Sequence, residues 1–348
     1  MAHNRTLDLL SRLPKVDLHL HLDGSVKPET ILELAMQQGI DLPVYHKEGL
    51  IPHMRVGNEC GSLIEYLSKF HFTTKFMQSG EALERIAYEV AEQSAAHNCK
   101  YVEVRFAPQL HRNNGLTVEE TIHHVVEGMK RGLRDFGVKG GVIVICMRNH
   151  SSQSNLEVIE AAAKFVGKGV VAVDLAGDEA TYPPEFFREV FAESTRLGIP
   201  VTIHAGEAAG AVNVYEAVTN LGATRIGHGV RLKENRTILD MVKERRIPLE
   251  MCPISNIQTK AVPGWEAYPI REYLDEGLLV TINTDNPSVS GTDITNEYRV
   301  LADRFGFTTP ELVKLIMNGV DAAFLDADDK LSLRREMEDE IRCLGVSM

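Results

Sequence analysis

The stretch Val16-Asp17-Leu18-His19-Leu20-His21-Leu22-Asp23-Gly24 alternates apolar with polar side chains and ends at a glycine, as a buried strand running into a loop does. Residues i and i+2 of a strand point to the same side, so His19 and His21 share one side and Leu20 takes the other. Two imidazoles placed in this way can bind one metal ion. A His-x-His pair is weak evidence by itself, because a chain with 13 histidines contains such pairs by chance.

Three later apolar runs also end in histidine or an acid. His204 and Glu207 stand in Ile203-His204-Ala205-Gly206-Glu207, and His228 stands in Ile226-Gly227-His228-Gly229. Asp285 ends Thr281-Ile282-Asn283-Thr284-Asp285. A single histidine after an apolar strand is more often an ordinary core residue. Four such instances at equivalent strand ends, in order along the chain, indicate one shared site.

Short apolar runs alternate with longer amphipathic segments along the whole chain. The predicted strands are residues 15–22, 101–106, 141–147, 170–175, 200–204, 225–228, 248–252 and 279–283. The predicted helices are residues 28–38, 81–97, 117–136, 156–165, 185–197, 213–221, 235–245 and 270–276. Strands that are each followed by a helix predict an α/β fold of the (β/α)8 TIM-barrel type.

Such a barrel needs about 250 residues, so about a hundred are left over. We expect them in a helical lid insertion after the first strand-helix unit, at about 40–80, and in extra C-terminal helices at about 306–345. A doubly wound open sheet is the alternative. It would gather strand ends at one switch-point crevice, whereas here the first, fifth, sixth and eighth strands must converge. We therefore expect residues 1–348 to form a single domain.

Composition limits the partners and the compartment. Apolar residues make up 44% and charged residues 25%, which is ordinary for a globular protein with a sizeable core. The net charge of −12 argues against a nucleic-acid or membrane-surface partner, since both need concentrated Lys and Arg. Five scattered cysteines without a Cys-x-x-Cys pair are typical of a reducing compartment. Residues 1–13 lack a signal-peptide segment, and no stretch approaches the roughly 20 apolar residues of a membrane span, so we expect a cytoplasmic protein.

The residue types at the strand ends suit a metal centre. Three imidazoles and a carboxylate favour a borderline-soft divalent cation, zinc first, and leave a further position for water. Here the four groups are His19, His21, His204 and Asp285. The metal can lower the pKa of that water from about 15.7 to about 7 and so supply hydroxide at neutral pH.

Other acids and histidines at the strand ends suit proton transfer. His228 and Asp285 are candidates to orient and deprotonate the water. Glu207 lies three residues past His204 in a glycine-containing turn, which suits a general acid at the pocket floor and not a ligand. For Asp174, at the end of the fourth strand, the sequence leaves two roles open. It either caps the loop or orients a ligand histidine.

The sequence resembles the adenosine deaminase family of the metal-dependent amidohydrolase superfamily over most of its length. The motifs that carry the resemblance are Val16-Asp17-Leu18-His19-Leu20-His21-Leu22-Asp23-Gly24, Tyr101-Val102-Glu103-Val104-Arg105, Asp174-Leu175-Ala176-Gly177-Asp178-Glu179, His204-Ala205-Gly206-Glu207, Arg225-Ile226-Gly227-His228-Gly229, Cys252-Pro253-Ile254-Ser255-Asn256 and Asn283-Thr284-Asp285. Together they are highly specific. The resemblance implies a zinc-dependent hydrolytic deaminase, with one zinc ion per subunit, that converts adenosine and 2′-deoxyadenosine into inosine and 2′-deoxyinosine plus ammonia. It also implies a small-molecule purine nucleoside as substrate, no nucleic-acid or membrane partner, and a monomer or weak homo-oligomer.

The resemblance assigns roles to individual residues. Glu207 would protonate the purine N1 and make C6 electrophilic. His228 and Asp285 would hold and deprotonate the water that attacks C6. Asp23 would bind the ribose hydroxyls, and Gly177 would meet N3 through its backbone.

The predicted insertion carries an apolar stripe at positions i, i+3, i+4 and i+7. Its members are Leu63, Tyr66, Leu67 and Phe70. The stripe matches the apolar lid of the family, which would cover a substrate lying beside His21. Ordinary core packing would give the same spacing and does not exclude a lid.

Asn286 departs from the family pattern, in which a second Asp often follows the metal-binding one. That position contacts the purine N7, a hydrogen-bond acceptor. A carboxyl group must be protonated to donate to N7, whereas the amide of Asn286 donates at any pH. The change preserves the contact and raises a question about the pH profile and the purine preference.

Four other functions compete with this interpretation. The nearest is a deaminase of adenine or of a modified adenosine, such as an N6-methylated one; Asp23 favours a nucleoside, since members acting on the free base tend to have Glu there. Two-metal cyclic amidohydrolases use a bridging lysine at the fourth strand end, where this chain has Asp174. Zinc deaminases of nucleic acids carry Pro-Cys-x-x-Cys, which does not occur here. A non-catalytic barrel would be expected to have lost a ligand or Glu207.

Overall fold

Eight strands alternate with helices in the computed structural model, which describes residues 9–57, 60 and 62–347. The strands are β1 (Lys15–His21), β2 (Cys99–Phe106), β3 (Lys139–Met147), β4 (Val170–Ala176), β5 (Thr202–Ala205), β6 (Arg225–His228), β7 (Leu249–Met251) and β8 (Val280–Ile282). Each of them lies where the sequence predicted a strand, and the ends differ by at most two residues.

The strands pair in parallel in two runs, β1 to β4 and β5 to β8. Two backbone connections join the runs. Val173 of β4 pairs with Val201, just before β5. After β8, the N–H of Asp285 donates to the carbonyl of His19 at 2.7 Å, and the N–H of His21 donates to the carbonyl of Asp285 at 2.8 Å. The pairing therefore runs around a barrel, as predicted, and it fixes Asp285 to the strand that carries His19 and His21.

Helices surround the strands. They are α1 (Pro28–Gln38), α2 (Lys47–Met54), α3 (Leu63–Ser68), α4 (Phe70–Thr73), α5 (Gly80–Ala96), α6 (Val118–Phe136), α7 (Ser152–Ala163), α8 (Arg188–Arg196), α9 (Ala211–Asn220), α10 (Arg236–Glu244), α11 (Pro253–Gln258), α12 (Ile270–Asp275), α13 (Pro287–Ser290), α14 (Ile294–Phe305), α15 (Thr309–Ala322) and α16 (Ala327–Cys343). α6 illustrates why they form. Thr117 and Glu120 make a capping box at its start, and Gly137 ends it with φ of 68°.

Two predicted helices begin three or four residues away from the start that the apolar spacing suggested. α7 starts at Ser152 because the side chain of Ser151 caps it, accepting a hydrogen bond from the N–H of Ser154 at 3.2 Å. The helix predicted over 185–197 starts as a 3-10 turn, Pro184–Phe187, and becomes α-helical only at Arg188. Polar capping residues and prolines determine where these helices start, and the periodic spacing of apolar residues gives no information about them.

The insertion predicted at about 40–80 contains α2, α3, α4 and a 3-10 turn, Thr74–Phe76. Its α3 begins after Ser62, whose side chain accepts from the N–H of Glu65 at 3.2 Å. The insertion shares a small apolar cluster with α13. Val56, Cys60, Tyr66 and Val289 are its buried members, and Phe70 packs against them. We call the described part of this segment, residues 47–57, 60 and 62–76, the lid. Through this cluster it packs against α13.

The C-terminal region predicted at about 306–345 forms α15 and α16. Gly319 lets α15 approach β1 closely, since a Cβ there would lie 3.0 Å from Val16. No helix in the described part of the chain is long and apolar enough to cross a bilayer.

Candidate active site and metal centre

A cavity of about 520 Å³ opens at the carboxyl ends of the strands, under the lid. Among the residues that line it are His21, Asp23, Leu63, Tyr66, Leu67, Phe70, Gly177, His204, Glu207, His228, Asp285 and Asn286. His19 is fully buried beside this set, with its ring centroid 4.7 Å from that of His228. The fold thus brings together all the site residues that the sequence suggested.

Four donor atoms face one another at the base of the cavity. Nε2 of His21 lies 3.3 Å from Nε2 of His204. Oδ1 of Asp285 lies 3.3 Å from Nε2 of His21 and 3.4 Å from Nε2 of His19. Donors bound at about 2.0–2.1 Å in a tetrahedron are about 3.3–3.4 Å apart. The buried Nε2 of His19 has no hydrogen-bond partner among the described residues, so this donor set fits a zinc-sized cation.

Two buried carboxylates orient the histidines. Oε2 of Glu250 accepts from Nδ1 of His19 at 2.7 Å, and Oδ2 of Asp174 lies 3.0 Å from Nδ1 of His204. The guanidinium of Arg105 donates to both carboxylates, at 2.7 Å to Glu250 and 2.9 Å to Asp174. With Nδ1 committed to a carboxylate, Nε2 of each ring is the atom left to bind a metal. Of the two roles left open for Asp174, the structure supports the orienting one.

The pKa values of these groups follow from burial and from the neighbouring charges. Burial would raise the pKa of Glu250, but the nearby guanidinium groups of Arg105 and Arg225 hold it well below its usual range. Burial likewise opposes ionisation of Asp174, and His204 and Arg105 outweigh it and lower the pKa. Burial, together with the charge on Arg105, lowers the pKa of His19 to about 4. His19 is therefore neutral at physiological pH, as a metal ligand must be.

The backbone at two of the site residues is strained. His228 has φ of 65° and Asp285 has φ of 61°, in the left-handed region that residues with side chains seldom adopt. Such conformations persist where the surrounding structure enforces them, and they cluster at functional sites. The hydroxyl of Ser255 helps to hold Asp285 in place, donating to its Oδ2 at 2.5 Å.

Glu207 projects from a turn after β5 in which Gly206 has φ of 70°. Its Oε1 accepts a hydrogen bond from the hydroxyl of Thr259 at 3.0 Å, and its Oε2 lies 3.5 Å from Nε2 of His228. Burial raises the pKa of Glu207, and the charge of Asp285 adds to the effect, although His228 and His204 oppose it. A carboxyl group that keeps its proton to higher pH is suited to act as an acid.

Hydrogen bonds determine the tautomer of neutral His228. Oδ1 of Asn256 accepts from the N–H of Cys252 at 3.2 Å and from the hydroxyl of Tyr268 at 3.1 Å. The amide nitrogen of Asn256 therefore faces Nδ1 of His228, 2.9 Å away, and donates to it. Because Nδ1 accepts, neutral His228 carries its proton on Nε2, the nitrogen that faces Glu207.

Three groups at the mouth and wall of the cavity are placed to contact a ligand. Oδ1 of Asp23 is buried without a hydrogen-bond partner among the described residues, and burial raises the pKa of this carboxyl group to about 6. Gly177 has φ of 111°, a conformation that glycine alone adopts readily. The amide nitrogen of Asn286 donates to Oδ1 of Asp285 at 2.6 Å. The Asn286 oxygen packs against Gly24, where a Cβ would lie 2.0 Å from it.

Acids and histidines line the cavity. Among the described residues that line it are four carboxyl groups and no lysine or arginine. The acids are Asp23, Asp178, Glu207 and Asp285. The lid contributes Leu63, Leu67 and Phe70 as an apolar cover. The cavity therefore offers an aromatic ligand an apolar cover, and the described residues that line it include no lysine or arginine to pair with a phosphate group.

Sequence reasoning missed several residues that contact the predicted ones. These are Glu250, Thr259, Asn256, Ser255 and Glu179. Ser255 and Asn256 lie in one of the motifs that carry the family resemblance, and a polar residue directly after a strand was the available signal. Glu250 sits inside a strand with no local signal, since its partner His19 is 231 residues away.

Comparison with known proteins places these residues in context. Residues 14–340 match the family model described as adenosine deaminase. Over 324 residues the chain is 46% identical to an adenosine deaminase of Clostridium botulinum strain Okra, covering 93% of this chain and 96% of that protein.

Solved structures with the same fold extend over nearly the whole chain. An adenine deaminase from Arthrobacter aurescens superposes with a TM-score of 0.87 at 27% identity, covering 95% of this chain and 99% of that one. An amidohydrolase from Burkholderia ambifaria, crystallised with bound zinc, superposes with a TM-score of 0.88 at 26% identity. The match covers 97% of this chain and 93% of that one.

Proposed function

The chain belongs to the adenosine deaminase family, and we propose that it hydrolyses adenosine and 2′-deoxyadenosine to inosine and 2′-deoxyinosine plus ammonia, with one zinc ion per subunit. The observation that carries the proposal is the convergence of His19, His21, His204 and Asp285 beside Glu207 and Asp23. Three of the donor pairs, His21–His204, His21–Asp285 and His19–Asp285, are 3.3–3.4 Å apart, the spacing of ligands around one zinc ion.

The proposed zinc ligands are His19, His21, His204 and Asp285. When bound, the ion would lower the pKa of a water in the site to about 7 and so provide the nucleophile at neutral pH. Glu250 and Asp174 support this assignment, because each accepts the Nδ1 proton of a ligand histidine. Arg105 ties the two carboxylates together and keeps their geometry fixed.

Glu207 is the proposed general acid toward N1 of the purine. Its pKa is raised by burial, which moves the carboxyl group toward the range in which it can act as an acid and so supports this role. The hydroxyl of Thr259 holds Oε1, which leaves Oε2 as the oxygen that can transfer the proton. Proton transfer at N1 draws electrons from C6 and makes that carbon open to attack.

The tautomer of His228 indicates which residue orients the nucleophile and which accepts its proton. Because its Nε2 carries the proton, neutral His228 donates a hydrogen bond toward the centre and orients the nucleophile. Burial would raise the pKa of Asp285, but His19, His21 and His228 hold it well below the usual range. Asp285 is therefore a carboxylate, and a carboxylate can accept hydrogen bonds and a proton. We therefore assign proton acceptance to Asp285 and orientation to His228.

Asp23 is proposed to bind the ribose hydroxyls, Gly177 to meet N3 through its backbone, and Asn286 to donate its second N–H to N7. An adenine deaminase is among the solved relatives, so the free base is the rival substrate. The unpartnered Oδ1 of Asp23 argues for the nucleoside, because adenine would leave that buried oxygen without a donor. The lack of lysine and arginine among the described residues that line the cavity argues against AMP.

The decisive assay follows the ultraviolet change with adenosine, 2′-deoxyadenosine, adenine, AMP and N6-methyladenosine in parallel. Adenosine and 2′-deoxyadenosine should be turned over with the highest kcat/KM. Removal of the metal with a chelator should abolish turnover, and zinc should restore it. A preference for adenine, or full activity in metal-free protein, would overturn the proposal.

A further inference from the structure

Glu179, which follows β4, makes an unusual set of contacts for a residue that does not line the cavity. Its carboxylate is 2% exposed and accepts hydrogen bonds from the turn that carries Glu207. We propose that Glu179 is a positioning residue for Glu207: it holds the backbone of residues 206–209 in the conformation that aims the Glu207 carboxyl group at the substrate. The inference rests on the proposed function.

Four consecutive backbone N–H groups converge on the Glu179 carboxylate. Those of Gly206, Glu207, Ala208 and Ala209 donate to it at 2.7, 3.0, 2.8 and 3.0 Å. The side-chain amide of Asn213, in α9, donates to Oε1 at 3.0 Å. Successive N–H groups that point inward form a natural anion site, and here the protein fills it with its own carboxylate.

The turn has no backbone ladder that would pair these groups. Residues 206–209 lie between β5 and α9, outside any helix or strand, so no ladder pairs their N–H groups. A buried N–H without a partner is costly, and Glu179 therefore determines which conformation the turn can adopt.

A second contact fixes the turn from the opposite side. The guanidinium of Arg231 donates to the carbonyl of Ala208 at 2.9 Å, and the backbone N–H of Arg231 donates to the carbonyl of Gly206 at 2.8 Å. The donors of the turn thus face Glu179 while two of its carbonyls face Arg231. The backbone from which Glu207 projects is held on both sides.

This arrangement separates the task of Glu179 from that of Glu207. Both oxygens of Glu179 are occupied by N–H donors, so it has no lone pair directed at the cavity. Loss of its carboxylate would let the turn shift and displace the acid. Misplacement of a reacting group by 1 Å can cost about 10²-fold in rate.

The test is a double-mutant cycle between Glu179→Gln and Glu207→Gln, with metal content measured for every protein. Glutamine is nearly the same size but turns an NH2 group toward the backbone donors. Glu179→Gln should lower kcat for adenosine about 10- to 100-fold with the metal retained and KM changed little. In the Glu207→Gln background the same change should have almost no effect, because there is no acid left to position.

Glu216→Gln is the matched control. Glu216 is a buried carboxylate of α9 that hydrogen-bonds to Arg188 and Asn220 and does not touch the 206–209 turn, so its loss should leave kcat unchanged. If Glu179→Gln does not fold, Asn213→Ala removes one of the five donors. It should give a smaller loss of kcat that again disappears in the Glu207→Gln background.

Losses of kcat that add in the double variant would overturn the inference, since they would mean that Glu179 acts independently of Glu207. Unchanged kcat in Glu179→Gln, or loss of the metal, would also overturn it. Wild-type turnover of adenosine is measured first. Its absence would refute the proposed function, and the inference with it, whereas normal wild-type turnover with additive losses would refute the inference alone.

Discussion

Glu250 and His19 meet inside the barrel, with Oε2 of the carboxylate 2.7 Å from Nδ1 of the ring. The same carboxylate accepts from Arg105 and Thr202 and pairs with Arg225, so both its oxygens are fully used. His19 is thereby fixed with Nε2 toward the other donors. The orientation of a proposed metal ligand therefore depends on a residue that does not line the cavity.

Glu250→Gln should therefore weaken zinc binding, because the amide presents an N–H to one of the donors that the carboxylate now accepts. Changes to groups that orient metal ligands typically cost about 10- to 100-fold in affinity, and we expect a loss of that size here. Competition with a chromophoric chelator measures it. Glu311→Gln, which alters a carboxylate paired with Arg271 near the surface, is the control and should bind zinc like the wild type. Equal affinities in the two variants would contradict the role given to Glu250.

Glu207→Gln should lower kcat by about 10²–10⁴-fold or more with metal content unchanged, because the amide has no proton to transfer to N1. Activity assays combined with metal analysis check this. A variant that lost its metal would show that Glu207 is a ligand. Thr259→Val should have a smaller effect in the same direction, since it frees Oε1 of Glu207 but leaves the acid in place.

Asp23 should make kcat/KM fall at low pH, which appears as an acid limb in the pH profile. Burial, with a contribution from Asp285, raises its pKa to about 6, so the carboxylate proposed to accept hydrogen bonds from the ribose hydroxyls is lost as pH falls through about 6. The value of kcat/KM should fall with it, and Asp23→Asn should remove this limb while lowering kcat/KM at neutral pH. An unchanged limb in the variant would exclude Asp23 as its source.

The raised pKa of Asp23 also makes the stability of the folded protein depend on pH. The folded pKa of Asp23 lies above the ordinary value of 3.8, so its stability contribution is present below pH 3.8 and is lost as pH rises through about 6. Asp23→Asn should accordingly raise Tm relative to the wild type more at pH 8 than at pH 5. Thermal unfolding at the two pH values measures the difference.

Asn286→Asp should stay active near neutral pH and lose activity as pH rises, because a carboxyl group can donate to N7 only while protonated. The position lies 2.6 Å from Oδ1 of Asp285, so an ionised Asp would also face a like charge. Asn286→Ala should weaken purine binding by about 1–3 kcal/mol if N7 is left unpaired. Profiles of kcat/KM from pH 6 to 9 compare the three proteins. A flat profile for Asn286→Asp would refute the proposed N7 contact.

Asn256→Asp should reverse the tautomer of His228, because a carboxylate accepts a proton from Nδ1 where the amide donates one. A wrong histidine tautomer can cost about 10⁴-fold in kcat, and we expect a loss of about 10²–10⁴-fold here with metal retained. Nitrogen NMR of the imidazole detects the change. In Tyr268→Phe the N–H of Cys252 still orients the Asn256 amide, so that control should behave nearly like the wild type. Undiminished kcat in Asn256→Asp would refute the assigned roles.

The sequence by itself determined the order of strands and helices and the residues at the strand ends. Both are local properties. Apolar runs and amphipathic periods can be recognised in a short window, and a histidine or acid directly after a strand is visible in the same window. For this reason the sequence suffices to assign His19, His204, His228 and Asp285 to one end of the barrel. It does not suffice for helix starts governed by caps, such as the start of α7 at Ser152, which Ser151 caps.

The tertiary structure alone decided which groups control those residues. Glu250 reaches His19 across 231 positions, Arg105 reaches Asp174 across 69, and Thr259 reaches Glu207 across 52. No local pattern marks such partners, because a glutamate inside a strand looks the same whether it faces a histidine or another group. Closing the barrel brings distant strands together in a buried interior, where every polar atom needs a partner. That requirement fixes the ionisation, tautomer and orientation of the site.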